Sequence, residues 1–308
     1  MSYDIETKAY LLDQAIMLDL PIRKVARKLY EAAATTTNKP LCLACAERIN
    51  STSDRGDTVF VITGFPVLPK NVCETDGPPG ASVLADVLEN AALKPIFVTD
   101  ELCAEIVKAS RPKTPMVKLP VDKEAAHNIA EDLLSKYNPP LLIAIERPGW
   151  NRNNEYHTMR GLNISGLVGK TDYLFHIAQR QGIATAAVGD GGNELGCGSI
   201  LGTVLKHVPY GSKCQCPCGG GIAAATPADV LVIAGISNWG AYGIAACFSL
   251  LKGLEYKHDK KSEAELLDRI VSAGAIDSVT MKADAFVDGV PPSINGLVVD
   301  LIGTICNA

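Results

Sequence analysis

Short apolar runs recur along this chain, and each gives way to a polar or glycine-rich segment and then to a stretch with helical spacing. Runs at 59–63, 95–99, 141–145, 183–188 and 229–234 are short, rich in Val, Ile, Leu and Ala, and mostly free of charge, which predicts buried strands. Between and after them, 82–92, 101–110, 123–136, 171–181, 262–273 and 293–305 carry helical spacing. This alternation predicts an α/β fold: a layered, largely parallel or mixed sheet covered by helices on both faces. Ahead of it, residues 5–34 predict an amphipathic helical pair, with Leu11, Leu12, Ala15, Ile16 and Leu18 apolar and Pro21 starting or kinking the second helix through Val25 and Leu29. The organisation expected is a helical N-terminal prefix at 1–50, packed on the main domain or a second subunit, and one α/β domain at 51–308. A chain of 308 residues is long enough to bury such a core.

The chemistry gathers just past the strands. After 183–188 comes Gly189-Asp190-Gly191-Gly192-Asn193-Glu194-Leu195-Gly196, two carboxylates and an amide among glycines, followed by a predicted helix over 193–207 with Glu194 in its first turn. Glycine lets a ligand approach the backbone without meeting a Cβ. Carboxylates at the carboxyl end of a strand suit a cation or polar ligand in an open α/β sheet; a plain turn with Asp190 and Asn193 as caps is the structural alternative. The pattern repeats: Thr63-Gly64-Phe65-Pro66 then Glu74-Thr75-Asp76-Gly77-Pro78-Pro79-Gly80-Ala81, Glu146-Arg147-Pro148-Gly149, and Gly235-Ile236-Ser237-Asn238-Trp239-Gly240 before a helix to about 252. Four such strand ends on one sheet edge would form an active site.

The ordered motifs TGFP, TDGPPGA, ERPG, Met159-Arg160-Gly161, GDGGNE and TPADVLVIAGISNWGAYG resemble the D-glutamate cyclase-like family from about residue 57 to about 289. The resemblance implies an α/β fold with an acidic, metal-binding cavity, and conversion of D-glutamate to 5-oxo-D-proline with loss of water, a hydro-lyase reaction. Some members of the family look more like divalent-metal-dependent phosphatases, and a protein that only binds a metal or an amino acid is a third reading.

Cyclisation needs the substrate amine to attack its own γ-carboxyl group. A cation that neutralises the adduct, a base, an acid and a carboxylate anchor would serve that chemistry. The metal ligands expected are Glu146, Asp190 and Glu194, with Asp76 fourth; the same three lead the catalytic candidates. Oxygen ligands favour Mg²⁺, Mn²⁺ or Ca²⁺. For Glu146 the alternative is an ion pair with Arg147 or Arg160. Arg160 is the candidate clamp for the substrate α-carboxylate, with a structural salt bridge as its alternative. Asn238, Gly191 and Gly192 are candidate oxyanion donors, and Trp239 a pocket wall. No nucleotide is expected: Gly166-Leu167-Val168-Gly169-Lys170-Thr171 ends like a phosphate loop, but Ile164 stands where that loop requires glycine.

The net charge of −5 argues against a nucleic-acid partner, and no apolar run reaches the roughly 20 residues of a membrane helix. A small-molecule substrate is the partner expected. The first ten residues show neither a signal-peptide core nor an arginine-rich transit pattern, so the compartment expected is the cytoplasm. Ten cysteines fit a reducing environment. Cys214, Cys216 and Cys218 would suit a soft metal only with further ligands, and none lies close in sequence; otherwise they form a loop of oxidisable thiols. His157 reads as a hydrogen-bonded or solvated loop histidine.

Overall fold

The computed structural model describes residues 4–21 and 24–308. Its core is a six-stranded, wholly parallel sheet. The strands are β1 (Thr58–Thr63), β4 (Lys94–Thr99), β5 (Met116–Lys118), β6 (Leu141–Ile145), β7 (Ala184–Gly189) and β8 (Val230–Ile233). A two-stranded antiparallel ribbon, β2 (Pro66–Val67) with β3 (Val72–Cys73), follows β1. The sheet order is β5-β4-β1-β6-β7-β8. From β1 the chain winds outward through β4 to β5, then returns and winds the other way through β6, β7 and β8. The direction reverses between β1 and β6, which pair in register from Val59 opposite Leu141 to Thr63 opposite Ile145. Ligands in such sheets bind outside the carboxyl ends of the strands at this reversal.

The strand sequences explain why the sheet is parallel and central. β6 is Leu-Leu-Ile-Ala-Ile and β7 is Ala-Thr-Ala-Ala-Val-Gly, and every residue in both is buried. An amphipathic strand would leave one face wet; these are apolar on both faces and need helices on each. One face carries α4 (Pro78–Asn90) and α9 (Ser237–Lys252), which pack against each other and across the central strands. Behind them lie α5 (Ala104–Ser110), α10 (Lys260–Ser272) and α11 (Pro292–Asn307). On the other face α6 (Lys123–Tyr137) packs against α7 (Asp172–Gln181), and Tyr137 meets Phe60 of β1 edge-on. Among the described residues no helix is long and apolar enough to cross a membrane.

The N-terminal segment supplies α1 (Ile5–Ile16), α2 (Ala26–Ala34) and α3 (Leu41–Thr52). The second helix starts at Ala26, so Pro21 lies ahead of it in the connecting turn; 22–23 and 1–3 fall outside the described residues. Asp13 joins all three helices: its buried carboxylate accepts from the Leu41 and Cys42 amides at 2.6 and 3.1 Å and from the Tyr30 hydroxyl at 2.8 Å. The Gly235 amide donates to the Ile16 carbonyl at 2.8 Å, so the prefix docks on the chain leaving β8. A Cβ at Gly235 would stand 2.3 Å from the Leu18 carbonyl oxygen, which restricts that position to glycine.

The predicted helix over 193–207 is the clearest difference from sequence expectation. Residues 193–197 stay irregular; a 3₁₀ turn at Gly198–Ile200 leads into α8 (Leu201–His207). Glu194 therefore sits in a loop rather than in a helical first turn. Its carboxylate competes for the amides a helix start would leave unpaired, and Gly192 and Gly196 adopt φ of +98° and +104°, outside helical space.

Candidate active site

Loops that leave the carboxyl ends of β1, β6 and β7 bring carboxylates together, and the chain leaving β8 sets Ser237 and Asn238 beside them. Glu74 and Asp76 come from the loop after the ribbon, Glu146 from the first position past β6, and Asp190 and Glu194 from the turn after β7. A fifth segment adds Asp288. All six are at most 6 % exposed. The carboxylate oxygens of Glu146, Asp190 and Glu194 lie within 4.8 Å of one another, as do those of Asp76, Asp190 and Asp288. Asp190 belongs to both groups. Such proximity of like charges away from water is costly unless protons or cations neutralise them.

The titration behaviour follows from this crowding. Burial pushes the Glu146 carboxyl well above the ordinary glutamate range, and the fields of Asp190, Glu194, Asp76 and Glu74 push it further. Glu74 is raised in the same way, first by burial and then by Asp288 and Asp76. Both carboxyls thereby keep a proton to higher pH than an ordinary glutamate does.

Local geometry fixes each acid. Glu146 adopts φ +42°, a left-handed conformation that costs a non-glycine residue about 1–3 kcal/mol and is typical of functional positions. The Ser237 hydroxyl donates to its Oε2 at 2.6 Å. Opposite, Gly77 has φ +98°, and a Cβ there would stand 2.9 Å from the Glu146 Cβ and 2.8 Å from the Thr63 hydroxyl. Pro78 and Pro79 occupy the first helical positions of α4, where missing amide hydrogens cost nothing. Asp76 faces the start of α9 and accepts from the amides of Ser237 at 3.0 Å and Asn238 at 2.8 Å, the positive end of that helix.

Two groups of expected oxyanion donors are already engaged. The Gly191 and Gly192 amides donate to Glu194, at 2.8 Å to Oε1 and 2.7 Å to Oε2, and the Cys197 thiol donates to the same Oε2 at 3.2 Å. Asn238 Oδ1 accepts from the Gly77 and Gly80 amides at 2.9 and 2.8 Å, while its Nδ2 donates to the Thr75 carbonyl at 3.1 Å. These residues shape the acidic loops instead of presenting donors to a ligand. Nor does Arg147 pair with Glu146: its buried guanidinium meets Asp100 at 2.7 Å and donates to the Gly64 and Gly169 carbonyls. Trp239 is wholly buried, donates to Asn295 at 2.7 Å and lines no part of the cavity.

A cavity of about 290 Å³ opens over the acids. Its floor includes Glu74, Glu146, Glu194 and Asp288, and its apolar wall includes Phe65, Val67 and Met159. Arg160 is exposed and lines this cavity, where a carboxylate anchor would be useful; among the described residues no other basic side chain lines it. Lys170 of the phosphate-loop look-alike donates to the Ser165 and Val168 carbonyls at 2.6 and 2.8 Å.

Sequence reasoning missed Glu74, Ser237 and Asp288 as site residues. Glu74 lies inside the quoted Glu74–Ala81 motif, and Ser237 inside the glycine-flanked segment that opens α9. Asp288 arrives from far along the chain because the Thr75 amide donates to the Ile276 carbonyl and the Thr75 hydroxyl to the Phe286 carbonyl. The adjacent Gly289 was the available signal.

The sequence matches, over residues 12–302, the family described as D-glutamate cyclase-like, C-terminal. The chain belongs to this family. The match begins within α1 and ends within α11, so the D-glutamate cyclase-like domain takes in most of the helical prefix. The chain is also similar to the human protein named D-glutamate cyclase, mitochondrial, at 33 % identity over 211 residues. That match covers 63 % of this chain and 33 % of the human protein, so the shared segment is about a third of the relative's length.

Proposed function

We propose that this chain cyclises D-glutamate to 5-oxo-D-proline with the help of a divalent cation. The observation that carries the reading is a cluster of six buried carboxylates, four of which (Glu74, Glu146, Glu194 and Asp288) line a small cavity, in a member of the D-glutamate cyclase-like family. At about 290 Å³ the cavity lies at the lower end of small-molecule sites, roughly 300–1,000 Å³, which suits an amino acid better than a nucleotide.

The donor set fits a hard cation. All candidate ligands are carboxylate oxygens, as Mg²⁺, Mn²⁺ and Ca²⁺ prefer. Glu146, Asp190 and Glu194, or Asp76, Asp190 and Asp288, would hold it, with Asp190 common to both groups. A cation held there supplies Lewis-acid neutralisation of charge growing on the substrate γ-carboxyl oxygens.

The chain's own groups handle protons and orientation. In the overall change, the substrate nitrogen gives up two protons as its bond to the γ-carboxyl carbon forms, and both end on the oxygen that leaves as water. With the cation on Asp76, Asp190 and Asp288, Glu146 and Glu74, each held above the usual range, are the carboxyls suited to relay them. Ser237 orients Glu146 through its hydrogen bond. Arg160 anchors the α-carboxylate at the mouth, and the wall of Phe65, Val67 and Met159 keeps the amine folded toward the γ-carbon. The phosphatase reading has less support, because among the described residues Arg160 is the sole basic one in the lining.

A substrate panel tests the proposal. In one Mg²⁺ buffer, D-glutamate should turn over, L-glutamate far more slowly, and p-nitrophenyl phosphate not measurably. Ester hydrolysis alone would install the phosphatase reading, and saturable binding of D-glutamate without turnover would install a binding role.

A further inference from the structure

A second metal-ligand set lies apart from the acids, built from sulfur and nitrogen. The loop after α8 carries Cys214, Cys216 and Cys218, and the fold brings His157 to them from the loop after β6. The ligand atoms of all four lie within 4.8 Å of one another. Cys214 Sγ stands 3.5 Å from Cys216 Sγ and 3.3 Å from Cys218 Sγ. His157 Nε2 stands 3.2 Å from Cys216 Sγ and 3.5 Å from Cys218 Sγ. A tetrahedral zinc centre with Zn–S of about 2.3 Å and Zn–N of about 2.0–2.1 Å requires S···S edges of about 3.8 Å and S···N edges of about 3.5 Å. The observed edges are close to that tetrahedron, slightly contracted.

The surroundings also suit thiolates. Gly220 N–H points at Cys218 Sγ from 3.4 Å, and Asn151 Nδ2 lies 3.6 Å from the same sulfur. Asn163 Nδ2 lies 3.8 Å from Cys216 Sγ. Donors directed at ligating sulfurs stabilise their negative charge and fix their orientation. His157 is 1 % exposed, so of the hydrogen-bonded or solvated loop histidine expected from sequence the fold contains the hydrogen-bonded one, with its Nε2 against the cysteine sulfurs.

We infer that His157, Cys214, Cys216 and Cys218 form a structural zinc site that braces one wall of the acidic cavity. Three sulfurs and one imidazole select a soft or borderline metal, and four protein ligands leave no open position, the mark of a structural centre. What it would hold is evident from the bonds around it. Two segments without regular structure, 150–165 and 209–226, meet at these ligands. The Asn193 side chain donates to the His157 carbonyl at 2.9 Å, linking the site to the acidic turn. Gln215 grips the neighbouring residues, with its amide on the Gly161 carbonyl at 3.0 Å and its Nε2 on the Arg160 carbonyl at 2.9 Å. Met159 and Arg160 thus owe their place in the cavity wall to the cysteine loop. This inference does not depend on which reaction the acids perform.

The test uses the full chain expressed with zinc and exhaustively dialysed. Elemental analysis should find about one zinc per chain, as a closed Cys₃His site predicts. Asp190→Asn should leave that content unchanged, whereas Cys216→Ser and Cys218→Ser should lose most of it. Cobalt exchanged into the native chain should show sulfur-to-cobalt charge transfer and intense tetrahedral ligand-field bands. Should the serine variants fail to fold, the native chain still decides: mercurial titration of its thiols should release the zinc, and trypsin should then cut faster at Arg152, Arg160 and Lys213, all exposed on these two segments. Zinc below about a tenth per chain after loading, with no sulfur-to-cobalt band, would overturn the site. So would alkylation mass spectrometry showing two of the three cysteines joined as a disulfide in the native chain.

Discussion

Replacing Glu146 by glutamine should stabilise the metal-free protein. The side chain keeps its shape and can still accept from Ser237, but it loses a charge from a group whose oxygens lie within 4.8 Å of one another. Two full charges at that separation repel by about 3–4 kcal/mol at an effective dielectric of about 20. Partial protonation relieves some of this, so the expected gain is roughly 1–3 kcal/mol at pH 8. The pH dependence has a definite sign. Because the folded-state pKa of Glu146 is raised, its favourable contribution is fully present below the ordinary glutamate range and is lost as pH rises through the raised value. The advantage of the glutamine variant should therefore shrink toward pH 5 and grow toward pH 8. A divalent cation should reverse the order: ligand at about 100 times its Kd adds about 2.7 kcal/mol to the wild type, and the variant should gain much less. Chemical denaturation of both proteins in EDTA and in Mn²⁺, at both pH values, measures the stabilities compared. A variant less stable than wild type in EDTA at pH 8 would refute the charge-crowding argument.

Ser237→Ala removes a hydrogen bond that favours ionised Glu146, so the acidic limb of the kcat/KM profile should move to higher pH, by up to about one unit. An unmoved limb would take Glu146 out of the proton transfers. Asn238→Ala strands the Gly80 amide and the Thr75 carbonyl in the buried turn before α4, leaving the Gly77 amide with Asp76 alone, and should cost about 2–4 kcal/mol by urea denaturation; a loss below about 0.5 kcal/mol would show that water replaces it. Arg160→Lys should raise KM several-fold more than it lowers kcat, since an anchor far from the reacting carbon provides uniform binding. A fall in kcat at constant KM would place Arg160 at the transition state instead.

The sheet was readable in the sequence because fully buried parallel strands leave uninterrupted apolar runs: those expected at 141–145 and 183–188 appear as β6 and β7 with at most a one-residue shift. The polar segments beyond them were readable for the same reason, since each begins where an apolar run stops. What the sequence concealed is how each polar atom is used. Gly191, Gly192 and Asn238 resemble donors awaiting a ligand until tertiary structure shows their partners in Glu194, Gly77, Gly80 and Thr75. The start of α8 was misplaced because a carboxylate three residues on can capture glycine amides as well as a helix can. Residues distant along the chain were hidden altogether. Asp288 joins Asp76 and Asp190, and His157 joins the cysteines, through folds of the chain that carry no local pattern.

The most direct test is to strip the chain of divalent cations, supply D-glutamate without ATP, and follow 5-oxo-D-proline by chiral chromatography as Mg²⁺ or Mn²⁺ is restored. Cation-assisted cyclisation in the acidic cavity predicts product only after the cation returns, and none at any cation concentration with Asp190→Asn. Product formation that ignores EDTA, or no product from the folded wild-type chain with either cation, would contradict it.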